Sequence, residues 1–116
     1  GDFHMTVGEG NNNDTVLQLQ QGPPEHSCRP AVDVLFRSVA DRYGDTCLAV
    51  VLTGMGRDGV DGSGMISRVG GKILVQDEAS SIVWGMPGLV AREGLAEKIL
   101  PIPAMADEIA KRICGI

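Results

Sequence analysis

The chain has 116 residues, of which 43% are hydrophobic and 22% charged, so it is one globular domain or part of one rather than a disordered segment. Its formal net charge of −5 argues against a nucleic-acid or anionic-membrane partner. The longest apolar run, residues 47–52, is too short to cross a bilayer, and the first residues lack the basic and apolar regions of a signal peptide. We therefore expect a cytoplasmic protein without membrane insertion.

The cysteines point to the same compartment. Cys28, Cys47 and Cys114 are widely spaced, and none belongs to a Cys-x-x-Cys pair. This spacing matches neither a zinc site nor a disulfide framework, so it predicts reduced thiols.

The chain opens with a predicted β-hairpin over residues 1–22. Residues 3–7 and 15–20 suit extended structure, and the stretch between them is rich in Gly and Asn, which tolerate the positive φ angles of a turn. Residues 21–30 contain several prolines and predict an irregular connection to the rest of the chain.

Helices and strands alternate from residue 30 onward. Pro30 suits the first turn of a helix, the apolar residues that follow recur at helical spacing, and Gly44 ends it. The predicted elements after it are a strand at 48–52, a Gly-containing helix to about Val69, a strand at 72–76, a short helix at 87–94, a strand at 97–102 and a helix at 103–115. This order predicts βα units over residues 30–116, forming a doubly wound parallel sheet with helices on both faces, a three-layer α/β/α fold to which the hairpin is added.

The loop 53–59 follows the most apolar strand, and functional groups of open α/β sheets gather at that strand edge. Its glycines formally match a dinucleotide fingerprint, Gly54-x-Gly56-x-x-Gly59, with Asp77 near the position of a ribose-binding acid. Against a nucleotide site, Asp58 would place a carboxylate beside the pyrophosphate.

Two other interpretations of Asp58 remain open. It can accept a hydrogen bond from a histidine and stabilise the imidazolium that forms when a serine attacks an ester. It can also simply cap the helix that follows it.

Several segments together resemble one family. Residues 52–59 read Leu-Thr-Gly-Met-Gly-Arg-Asp-Gly, which resembles the signature of the protein-glutamate methylesterases of bacterial chemotaxis, the CheB family. Further similar segments are 1–5, 29–36, 76–80 and 85–87, in order along nearly the whole chain.

The resemblance implies a function and a site. Members hydrolyse γ-glutamyl methyl esters on chemoreceptor cytoplasmic helices, and many also deamidate receptor glutamines. Asp58 matches the catalytic aspartate, Met55 a residue that lines the site, and Gly54 and Gly56 residues that shape the loop. No cofactor or metal is implied, and Asp61, Asp77 and Glu78 match no calcium loop.

The resemblance also implies missing parts. The family's nucleophilic serine and catalytic histidine lie in upstream segments that this sequence does not contain. The family's receiver domain is also missing from this sequence and is a further expected partner. His4 and His26 match neither position and are expected to be surface or hydrogen-bonding residues. We therefore expect the chain to be the C-terminal part of a single catalytic domain that lacks its upstream strands, inactive alone, and able to self-associate through a bare sheet edge.

Two alternatives to an esterase fragment remain. One is a nucleotide-binding α/β module that uses the loop from Gly54 to Gly59. The other is a noncatalytic interaction domain that retains the fold.

Overall fold

A computed structural model describes residues 1–115, so Ile116, the end of the expected βα region, lies outside the described residues. The chain opens with the predicted hairpin. Strands β1 (His4–Glu9) and β2 (Thr15–Gln20) pair antiparallel, with His4 opposite Gln20. At the tip, Asn12 and Asn13 adopt positive φ angles of 58° and 63°, which asparagine tolerates better than most residues. The hairpin prediction is confirmed.

Helix α1 (Val32–Tyr43) follows the irregular connection and ends at Gly44, whose φ is 59°. The predicted start at Pro30 is wrong by two residues. Ala31 is the N-cap and has extended backbone angles. The helix starts at Val32 because a carboxylate distant in sequence binds the first amide groups there, as described below.

The remaining elements form a three-stranded parallel sheet in the order β3-β4-β5 with connecting helices. The predicted strand at 97–102 is too long, because Pro101 serves as the N-cap of the last helix and ends the strand at Leu100. The bounds are β3 (Leu48–Val51), α2 (Val60–Arg68), β4 (Lys72–Gln76), α3 (Met86–Arg92), β5 (Lys98–Leu100) and α4 (Ile102–Cys114).

Both faces of the central strand β4 are covered. Ile73 and Val75 point to one face and belong to the main core, which includes residues of α1, α2 and α3. Leu74 points to the opposite face and is also fully buried. Lys98, paired with Leu74 on β5, extends over that second face to Glu108 of α4 at 3.0 Å. Helices thus lie on both faces of the sheet, as predicted for this fold class.

One long edge of the sheet has no partner strand among residues 1–115. β3 pairs with β4 on one side only, and Leu48 and Val50 are half-buried where Ala49 and Val51 are buried.

As for membrane insertion, none of the helices within residues 1–115 combines the length and the apolar character that a bilayer span requires.

Candidate functional site

The loop 53–59 is held at the carboxyl end of β3 by the buried side chain of Gln76. Its Oε1 accepts a hydrogen bond from the Thr53 amide at 2.7 Å, and its Nε2 donates to the Ser80 carbonyl at 2.7 Å. The Gln76 carbonyl in turn accepts from Trp84 Nε1 at 2.8 Å. Sequence reasoning missed this residue, although a polar residue ending an otherwise apolar strand was the available signal.

Backbone contacts hold the same loop against the segment before α3. The Gly54 carbonyl accepts from the amides of Gly85 and Met86, both at 3.0 Å, and the Gly54 amide donates to the Val83 carbonyl at 2.9 Å. Gly56 has a φ of 90°, which disfavours any residue with a Cβ atom. These contacts give the loop a defined path that depends on its glycines.

We expect Gly85→Ala to destabilise the fold by about 1–3 kcal/mol, because the added Cβ would clash with rigid backbone atoms and overpack the site. That Cβ would lie 2.7 Å from the Gly54 carbonyl oxygen and 3.1 Å from the Gly56 nitrogen. The matched control is Gly64→Ala in α2, where, apart from its chain neighbours and the adjacent backbone of its own helix, no atom of residues 1–115 lies within 4 Å of the added Cβ. That substitution should stabilise the fold by about 0.5–1 kcal/mol through helix propensity. Urea unfolding of the two variants measures both values, and a Gly85→Ala variant as stable as the wild type would show that the loop is not tightly held.

Asp58 is half-buried, and its carboxylate binds the N-terminus of α1. Oδ2 accepts from the Val32 amide at 2.6 Å, and Oδ1 accepts from the Asp33 amide at 2.9 Å. The interpretation that Asp58 caps the helix following it is therefore wrong. Its side chain turns away from α2, whose N-cap is Gly59 with a φ of 102°.

The N-terminus of α2 is capped instead by Asp33, which lies in the first turn of α1 and is fully buried. Its Oδ1 accepts from the amides of Gly59 at 2.9 Å and Gly62 at 2.7 Å. Each of the two helices thus carries, in or just before its first turn, the acid that caps the other. We call this arrangement the reciprocal cap of Asp33 and Asp58. Sequence reasoning did not single out Asp33.

The reciprocal cap leaves Asp58 able to accept more hydrogen bonds. An ionised carboxylate has about four acceptor positions, and Asp58 uses one on each oxygen for an amide of α1. The partial positive charge at a helix N-terminus favours a carboxylate there. Chemically, the site is a fixed anionic acceptor for a further N–H donor.

The same contacts argue against the dinucleotide interpretation of this loop. A pyrophosphate would need free amides at the N-terminus of α2, but Gly59 and Gly62 donate to Asp33. Asp77, the candidate ribose ligand, accepts instead from the amide and hydroxyl of Ser80, at 3.0 and 2.6 Å.

Exposed apolar side chains lie in the loop and next to it. Met55 is 80% exposed, Ile82 is 92% exposed, and Leu52 is also exposed. Arg57 is exposed as well. Beside the amide of Val32 that binds Asp58, an apolar cavity of about 150 Å³ is lined by Met5, Pro30, Ala31, Val32 and Leu35. The carboxylate therefore lies next to a concave surface and an apolar rim.

Neither histidine forms a hydrogen bond with the Asp58 carboxylate among the described residues. His4 is buried, with Nε2 2.9 Å from the Pro23 carbonyl and Nδ1 accepting from the Ala31 amide at 3.2 Å. This is the hydrogen-bonding role predicted for it. The side chain of His26 is 32% exposed and lies beside Asp33 and Asp61.

The fold and the site define an α/β domain in which a loop at the carboxyl edge of the sheet presents a fixed carboxylate. Comparison with known proteins gives the family. The chain belongs to the CheB methylesterase family, whose model matches residues 1–109.

Named relatives agree. The chain is 56% identical over 114 residues to a protein-glutamate methylesterase/protein-glutamine glutaminase of Trichodesmium erythraeum, and 51% identical over 112 residues to one of Caulobacter vibrioides. Each match covers 97% of this chain and 32% of the relative. The solved CheB methylesterase catalytic domain of Thermotoga maritima superposes with a TM-score of 0.91 at 32% identity, over 96% of this chain and 58% of that one. The chain thus spans about a third of the length of these curated relatives.

Proposed function

We propose that this chain is the C-terminal part of a protein-glutamate methylesterase catalytic domain and supplies its catalytic acid, Asp58. The whole enzyme would hydrolyse glutamate γ-methyl esters on chemoreceptors in the cytoplasm by a Ser-His-Asp mechanism. One observation carries the proposal: the Asp58 carboxylate is fixed by two amides of α1 and keeps acceptor positions for an imidazole N–H.

The chemistry assigned to Asp58 follows from this geometry. A histidine from another segment would donate one ring N–H to Asp58, which holds the ring in the tautomer whose other nitrogen can take the serine proton. When the serine attacks the ester carbonyl, the negative carboxylate stabilises the imidazolium that forms. The proton then passes to the departing methanol, and water releases the glutamate in a second step. The chain alone lacks the nucleophile and the base, so it should be inactive.

The residues around Asp58 have proposed supporting roles. Gly54 and Gly56 shape the loop, and the exposed Met55 would line the substrate site with its apolar side chain. The esterified glutamate would be presented by a methylated cytoplasmic helix of a chemoreceptor. The relatives' names also include protein-glutamine glutaminase, and attack on a glutamine amide needs the same acid, so we propose deamidation as a second activity.

We propose further partners within the same protein or between copies of it. The unpaired edge of β3 would pair with strands of the upstream part of the domain, or with a second copy of the chain when that part is absent. A receiver domain of the same protein would regulate access to the site. We propose neither a nucleic-acid partner nor membrane insertion.

A chimera tests the proposed function. The part of the Trichodesmium erythraeum relative that precedes the matched 114 residues is fused to this chain, and methanol release from methylated receptor is measured. We expect esterase activity from the chimera and none from the chain alone. A folded chimera without activity would favour a noncatalytic interaction domain instead. Activity of the chain alone would contradict the proposal that the serine and the histidine come from the upstream part of the domain.

A further inference from the structure

Three donor atoms from separate parts of the chain meet beside the reciprocal cap. His26 Nε2 lies 3.3 Å from Asp33 Oδ2 and 3.4 Å from Asp61 Oδ2, and all three atoms lie within 4.8 Å of one another. We call these three residues the His26 cluster. The sequence alone indicated no metal site, because it has no Cys-x-x-Cys pair and Asp61, Asp77 and Glu78 match no calcium loop.

The buried oxygen of Asp33 points to a ligand. Oδ1 accepts two amide hydrogen bonds, but Oδ2 is buried and accepts none from residues 1–115. His26 Nε2 lies 3.3 Å from this oxygen, yet its position does not satisfy hydrogen-bond geometry. A buried carboxylate oxygen without a donor is unfavourable, and a bound cation would compensate it.

The spacing of the cluster suits a small divalent ion. Zinc bonds to imidazole nitrogen and carboxylate oxygen are about 2.0–2.2 Å long, so tetrahedral ligand atoms lie about 3.3–3.6 Å apart. The two measured distances from His26 Nε2, 3.3 and 3.4 Å, fall in this range. Asp61 is exposed, so its side chain can adjust to complete the site. The imidazole ligand favours a transition metal over calcium or magnesium, which prefer oxygen ligands.

We propose that His26, Asp33 and Asp61 bind one divalent transition-metal ion, with Zn²⁺ as the probe, and that water completes its coordination. The ion would link the connection before α1 to the first turns of α1 and α2. Two carboxylates offset its charge, while the nearby guanidinium of Arg37 is hydrogen-bonded to Glu25. The proposal does not rest on the esterase function, although Asp33 also belongs to the reciprocal cap that holds Asp58.

The test measures zinc binding directly. The 116-residue chain is dialysed against ZnCl₂ or MgCl₂, and bound metal is counted by mass spectrometry. We expect one Zn²⁺ per chain and no comparable binding of Mg²⁺. His26→Ala and Asp61→Asn should each weaken zinc binding by at least about 10-fold. Asp33 is left intact because its Oδ1 caps α2.

Two additional measurements establish whether the His26 cluster itself holds the ion. Cys28→Ser is the matched control, because this exposed thiol lies near His26 and is itself a zinc ligand by type. It should bind zinc as the wild type does. Zinc at about 100-fold excess over its Kd should raise the Tm by about 10 °C in the wild type, and much less in His26→Ala.

Three results would overturn the proposal. One is the absence of stoichiometric zinc binding, which would make the cluster an ion pair between a protonated His26 and the two carboxylates. The second is zinc binding that survives both His26→Ala and Asp61→Asn. The third is loss of binding in Cys28→Ser, which would assign the ion to the thiol.

Discussion

Asp58→Asn lowers the kcat of the chimera for ester hydrolysis by about 10⁴-fold, the expected effect of replacing the acid of a Ser-His-Asp site. An amide offers the histidine one oxygen, and its NH₂ group opposes the ring N–H or one of the α1 amides. The ring is then held in the wrong tautomer, or Val32 or Asp33 loses its acceptor. Initial rates of methanol release at saturating substrate measure the change.

Two controls separate lost chemistry from lost structure. Asp107→Asn makes the same chemical change at an exposed position of α4 and should leave kcat within about 2-fold, as expected for a surface substitution. Circular dichroism should show that Asp58→Asn remains folded at the assay temperature, although the weakened cap costs about 1–2 kcal/mol. A folded Asp58→Asn variant with unchanged kcat would remove Asp58 from the catalytic site.

Asp33→Ala should lower the free energy of unfolding by about 3–4 kcal/mol, because two buried amides lose their acceptor at about 1–3 kcal/mol each. Those amides, of Gly59 and Gly62, face the fully buried Asp33, so water cannot easily replace the carboxylate. Asp33→Asn should be milder, since its amide oxygen can still accept from both groups. Urea unfolding followed by circular dichroism measures the series.

The control for this series is Asp41→Ala on the same helix. Asp41 is exposed in α1, so the substitution should change stability by no more than about 0.5 kcal/mol. If Asp33→Ala and Asp41→Ala were equally stable, the reciprocal cap would contribute nothing to the fold. If only Asp33→Ala were destabilised, the cap would be established as a main tertiary contact of α1 with α2.

The reciprocal cap explains how stability and the proposed catalysis are related. Asp58 is held by α1, and α1 is held against α2 by Asp33, so the direction of the Asp58 carboxylate depends on the packing of two helices. Asp33→Asn in the chimera should therefore lower kcat less than Asp58→Asn does, because it disturbs the position of the acid without removing it.

Local sequence was sufficient to predict the order and type of the helices and strands, though not all of their bounds. Alternating residues and the Gly- and Asn-rich tip predicted the hairpin, and helical spacing ended by Gly44 predicted the end of α1. The predicted strand 72–76 matches β4, because a short apolar run between a glycine pair and a turn has few other stable states. The family signature at 52–59 likewise identified Asp58 as the candidate acid, because the signature is contiguous in sequence.

Only the tertiary structure decided which groups these residues contact. From the sequence, Asp58 could have capped the helix that follows it. In the structure it binds α1 instead, at two amides that are 25 and 26 residues away in sequence. The roles of Asp33 and Gln76 were not visible for the same reason: each binds amides 23 or more residues distant. A propensity pattern reports the preference of a segment for helix or strand, whereas a hydrogen bond between distant segments exists only once the sheet and helices have packed.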